Sequence, residues 1–142
     1  MKTLHLTLKK QNFDEILAGV KTEEYREVKS YWINRLLKGK IEGRNEYTEL
    51  SEHEYKDLIN DLQNPLDNFD SVEDLLEYFG LALDYYNRII FRNGYAKNAP
   101  TMIIEWKGIQ IKECNTPLGN KWQFAIKLGK ILETKNIKEV TK

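Results

Sequence analysis

Leu4, Leu6 and Leu8 alternate with His5, Thr7 and Lys9. A period of two predicts a half-buried strand over 3–9 with His5 facing outward. The period then changes. Phe13, Ile16 and Leu17 stand at helical spacing, with Asn12 as a candidate N-cap and Gly19 as a stop. They predict a short helix over 12–18, followed by a second strand over 21–28. Ser30 can cap a further helix over 31–38, whose apolar side is Trp32, Ile33, Leu36 and Leu37. Residues 39–50 read as polar and irregular. Ser51 and Glu54 then form a capping-box pattern ahead of Tyr55, Leu58, Ile59 and Leu62, and Asn64-Pro65 breaks that helix. Ser71 with Asp74 repeats the start signal for a helix carrying Val72, Leu75, Leu76 and Phe79, which Gly80 can end.

Strand character returns in Tyr86–Arg92, and Asn93-Gly94 is a strong turn signal. Thr101–Ile111 reads as a strand with a bulge or turn at Lys107-Gly108. Pro117 and Gly119 punctuate a loop. Trp122–Leu128 alternates again, and Gly129 is expected to bend the chain into 130–133. The order predicts an α+β fold built on a small, partly closed barrel.

A chain of 142 residues, 41% hydrophobic and 11% aromatic, is long and apolar enough for one globular domain. The expectation is a single domain over 1–142. No apolar run approaches the roughly 18 residues that span a membrane, and the N-terminus lacks the pattern of a secretory signal. A lone Cys114 excludes an internal disulfide and favours a cytoplasmic setting. One Cys with two separated His residues, His5 and His53, argues against a structural zinc site. Neither phosphate-gripping glycine motif occurs, so neither an ATP nor a dinucleotide cofactor is expected.

The net charge of zero hides a division. Residues 43–84 hold 12 acidic and 2 basic residues, a balance of −10, and the rest of the chain stands at +10. A +10 body suits polyanions. The acidic segment reads as a separate helical insertion. It is a candidate docking surface for a protein partner, or a mimic of nucleic acid that covers the basic body.

Gly19-Val-Lys-Thr-Glu-Glu-Tyr-Arg26 is a G-x-K-x-x-E-x-R string. Lys21 and Glu24 can pair, and Arg26 is suited to bidentate contact with phosphate. Glu24 can accept from the exocyclic amino group of a base. From spacing alone, a salt-bridged strand surface worth about 0–1 kcal/mol explains the same residues. Strand alternation places Glu24 and Arg26 on one face. Lys21 can join them only from the turn before the strand, which Gly19 permits. Tyr31, beside this motif, can stack on a base. Trp32 and Tyr25 read as core, and Thr22 as a turn residue with a hydroxyl.

The stretch Phe13-Asp-Glu-Ile-Leu-Ala-Gly-Val-Lys-Thr-Glu-Glu-Tyr-Arg26 resembles the N-terminal signature of ASCH domains, members of the PUA-like superfamily. Ile89–Tyr95 resembles that family's later strand and turn. The resemblance covers roughly 1–40 and 86–133 and leaves out the acidic segment. It implies a PUA-like barrel and an RNA-related role, with Lys21, Glu24 and Arg26 lining a ligand cleft. It also brings Arg92 and Tyr95 near that cleft. Some bacterial members remove the acetyl group from acetylated cytidine with a Lys, a Thr and a Glu. Their Lys matches Lys21, but their nucleophilic Thr falls at Glu24. The expected function is binding of RNA or a modified nucleoside. The alternative is an amidohydrolase in which Lys21 and Glu24 are catalytic.

Overall fold

The computed structural model describes residues 1–39 and 50–137. The chain is α+β and divides into two compact units. The first comprises Met1–Glu24, Tyr85–Gly108 and the chain from Ile126 onward; the second comprises Tyr25–Asp84 and Ile109–Ala125. The expected N-terminal part of the acidic segment, 43–49, lies outside the described residues.

In the first unit, β1 (Thr3–Leu8) runs parallel to β5 (Arg88–Asn93), which pairs antiparallel with β6 (Thr101–Thr116). The register aligns Leu4 with Ile89 and Ile104, and Leu6 with Phe91 and Met102. All six are buried, whereas His5 and Thr7 are exposed. The period-two reading of the N-terminus therefore gives both the strand and its core face. Helix α1 (Lys10–Leu17) buries Phe13 and Ile16. It begins two residues before the expected start, and its N-cap is Lys9, which supplies no capping side chain.

The end of α1 carries the local device that matters most. Gly19 has φ +77°. Its N–H donates to the Ile16 carbonyl at 3.0 Å, and the Val20 N–H to the Glu15 carbonyl at 3.0 Å. These two bonds make a Schellman motif. The Lys21 N–H also reaches the Glu15 carbonyl, at 3.1 Å. The chain is thus held against the helix end before β2 (Glu23–Glu27) begins.

The second unit contains a short two-stranded sheet and three helices. These are α2 (Ser30–Leu36), α3 (Glu52–Gln63) and α4 (Val72–Tyr78), with a single 3-10 turn at Pro65–Asp67. Ser51 closes a capping box with Glu54, and the Ser71 hydroxyl accepts from the Asp74 N–H. Ser30 does not cap α2; it is the first helical residue. Helix α2 was expected to reach residue 38, but Leu37–Gly39 form β3, paired with β4 (Leu81–Leu83). Pairing Leu37 with Leu83 and Gly39 with Leu81 outweighs helix propensity because Leu37 and Leu81 both leave water. Leu58, Leu62, Leu75 and Leu76 are buried with Ile33 and Leu36. The acidic helices thus carry this unit's core on their apolar faces and their charge on the other side.

Strand β7 (Gly119–Lys135) follows β6 through a turn at Pro117-Leu118, and the five-stranded sheet has the order β1-β5-β6-β7-β2. Among the described residues these strands do not close into a barrel. Gly129 does not break β7. A Cβ there would stand 2.6 Å from Glu105 Oε1 and 3.0 Å from Lys107 Cε. The glycine serves close approach of the Glu105–Lys107 pair, so the expected bend is corrected to a packing requirement. Gly108, at φ +129°, lies within a continuous strand.

Candidate functional site

The Schellman turn sets Lys21 outside the strand register. Its ammonium donates to Glu24 Oε1 at 2.8 Å and to Asn12 Oδ1 at 3.3 Å. Glu24 is only 2% exposed, whereas 19% of the Lys21 side chain remains accessible. This is a buried carboxylate capped by a cation that still reaches solvent. The exposed salt bridge expected from spacing alone does not describe it. A charge pair taken out of water holds its geometry tightly, because separating the partners leaves an uncompensated buried charge.

Asn12 was expected to cap α1. It lies instead within the helix and serves as a side-chain acceptor for Lys21. Its nine-residue separation from Lys21 hides this role, because only the turn after Leu17 folds the lysine back. Thr22 stands between the two charged residues in sequence, and its carbonyl accepts from the Leu128 N–H at 3.0 Å.

Arg26 and Tyr31 belong to the second unit. The Arg26 guanidinium lies 4.9 Å from the Trp32 ring centroid, and Trp32 meets Tyr31 edge-on at 4.7 Å. Arg35 lies 5.2 Å from the Tyr31 ring, and its Nη1 donates to the Tyr31 hydroxyl at 2.5 Å. The result is a ladder of cation, aromatic, aromatic, cation. Trp32 is half-buried rather than core, since its ring carries Arg26. Cation–π pairs of this kind contribute about 0.5–1 kcal/mol at exposed sites. The helix spacing 31, 32, 35 was legible, but the reach of Arg26 onto Trp32 was not.

Arg92 spends its guanidinium on the turn after β5. It donates to the carbonyls of Gly94, Ala96 and Lys97. That is a structural task. Tyr95 projects from the same turn and is 87% exposed.

Among the described residues, no group of three or more His, Cys, Asp and Glu side chains could hold a metal ion. No helix there is long and apolar enough to cross a membrane. No protein-family model matches the chain, and no curated protein or solved structure matches it. The chemistry of the site therefore rests on its own side chains. Lys21 and Glu24 together offer donor and acceptor groups fixed in one place, and the ladder offers cations already stacked on rings.

Proposed function

We propose that this is an ASCH-type protein of the PUA-like superfamily that binds RNA or a modified nucleoside. The observation that carries the reading is the Lys21–Glu24 contact at 2.8 Å on a nearly inaccessible carboxylate. It gives the G-x-K-x-x-E-x-R string a fixed polar centre. Lys21 supplies a point charge that still reaches solvent, and Glu24 holds it in place from the buried side. The Arg26–Trp32–Tyr31–Arg35 ladder supports the same reading independently. Arginine held flat on a ring suits both phosphate and base contact. Tyr95 belongs to the proposed ligand set as an exposed ring. The setting proposed is cytoplasmic, and the acidic helices are the proposed surface for a protein partner.

The test is anisotropy of labelled single-stranded RNA at low and high salt. Affinity should fall steeply with salt, and Arg26→Ala should weaken it. Absence of binding at low salt to both RNA and free nucleosides would reject the reading.

Amidohydrolysis is the second reading, favoured by the fixed Lys21–Glu24 geometry. A water molecule would give a proton to Glu24 while its oxygen adds to the acetyl carbonyl. The C–N bond then breaks, the proton passes to the leaving amine, and acetate is released. Glu24 is already engaged by Lys21, so binding takes precedence. Incubation with N4-acetylcytidine decides: no acetate released across pH 5–9 would rule the reaction out.

A further inference from the structure

A recess of about 410 Å³ in the second unit combines features that the motif does not contain. Trp122 and Lys121, near the start of β7, line it together with Asn120 and Gln123. Lys29, just after β2, Asn64, the C-cap of α3, and the acidic Glu27 at the end of β2 also line it. Gln63 also faces the recess, with its amide nitrogen donating to the Val28 carbonyl at 2.8 Å.

The rings of the three tryptophans are used differently. Trp32 carries Arg26, and Trp106 packs against Tyr86 at 5.2 Å. Trp122 is half-buried, lines the recess and has no ring or cation partner among the described residues. Lys121 is exposed and has no ion pair among the described residues. Among the described residues, the one ion pair of Lys29 is a long contact to exposed Glu27, at 3.9 Å.

From this we infer that the recess is a nucleobase site, with the base stacked on Trp122 and its edge read by the carboxamides of Asn64, Asn120 and Gln123. The reasons are chemical. An aromatic face beside cations is how single strands are held, and stacking is independent of sequence. A carboxamide offers one donor and one acceptor side, which matches the N6/N7 edge of adenine. The C-terminal end of α3 contributes partial negative charge at the same place. That end favours a base with an exocyclic amino group, adenine or cytosine, over uracil. Lys121 then meets the neighbouring phosphate when the base belongs to a strand. The inference rests on the nucleic-acid reading above but uses none of its residues.

The experiment separates the two. Ten-residue oligoadenylate and oligouridylate, and free adenosine, are titrated into the full chain at low salt. Anisotropy of labelled oligomer and tryptophan emission are both followed. Oligoadenylate should bind more tightly than oligouridylate and quench tryptophan emission. Trp122→Ala should weaken oligoadenylate about 5- to 150-fold, the range expected for one stacked base. Trp122→Phe, which keeps a stacking ring, should retain most of the affinity. Lys121→Glu, at an exposed position, should weaken the oligomer and leave adenosine unchanged. Circular dichroism checks that each variant folds. If Trp122→Ala and Lys121→Glu both bind like the parent, the recess is not the site, while the general reading stands on the parent's RNA binding. If the parent binds neither oligomer but adenosine quenches Trp122, the recess stands without the RNA reading. If no ligand binds, both fall.

Discussion

Lys21 and Glu24 show how much one backbone turn can decide. In a regular strand the two side chains would point to opposite faces. Gly19 at φ +77° closes the helix, and the ammonium comes back to a carboxylate that is 2% exposed. Nothing within 4 Å would clash with a Cβ at Gly19, so Gly19→Ala pays only for the left-handed backbone. The expected cost is about 1–2 kcal/mol, read from urea unfolding. Removing the lysine is more damaging. Lys21→Ala should cost about 3–5 kcal/mol, because a buried carboxylate loses its partner. The double substitution Lys21→Met with Glu24→Leu removes both charges and should recover most of that loss. If the double variant is stable yet no longer binds ligand, the pair is functional. If it binds normally, the pair only holds the fold. A smaller electrostatic effect sits at Glu105. Its pKa is lowered chiefly by Lys107, whose ammonium lies 3.0 Å from Oε1. A depressed carboxylate stabilises the folded state above its unfolded value and loses that contribution as pH falls through the folded value. Glu105→Gln should therefore lower stability slightly at neutral pH, with the difference from the parent shrinking as pH falls below about 4.5.

Elements were legible wherever a local rule decided them. The alternation of Leu4, Leu6 and Leu8 fixed β1 and its buried face. The Ser51–Glu54 box fixed the start of α3, with both reciprocal hydrogen bonds at 3.1 Å. Ser51→Ala should cost about 1 kcal/mol in thermal unfolding, and an unchanged midpoint would show that the box is not needed. Elements were illegible where a distant partner decided them. Leu37–Gly39 leaves the helix because β4 lies beside it, some forty residues on in the chain. Leu81–Leu83 is too short to announce itself by periodicity. The candidate site divides in the same way. The motif string marked Lys21, Glu24 and Arg26, but Asn12 and Trp32 acquire their roles only from folded geometry.

At the scale of the molecule, the acidic segment is where sequence and structure together reshape the question. Its charge balance of −10 suggested a separate helical insertion. Leu58, Leu62, Leu75 and Leu76 of its helices are buried, as are Ile33 and Leu36 of the same unit. Deleting the helices would expose that core, so a deletion cannot test what the charge does. Substitution of exposed carboxylates can. Glu52, Asp57, Asp70 and Glu73 are exposed, and none supplies a capping side chain. Changing all four to their amides raises the net charge by four at nearly constant shape. If these charges repel a polyanionic ligand from the basic remainder of the chain, RNA affinity should rise several-fold near 0.05 M salt. The gain should vanish near 0.5 M, where screening acts within a few ångströms. Measured against the parent at both salts, equal affinity at low salt would show that the acidic face is not a guard over RNA binding. A protein partner with a basic surface would then be the occupant to seek, and the same four substitutions should weaken it.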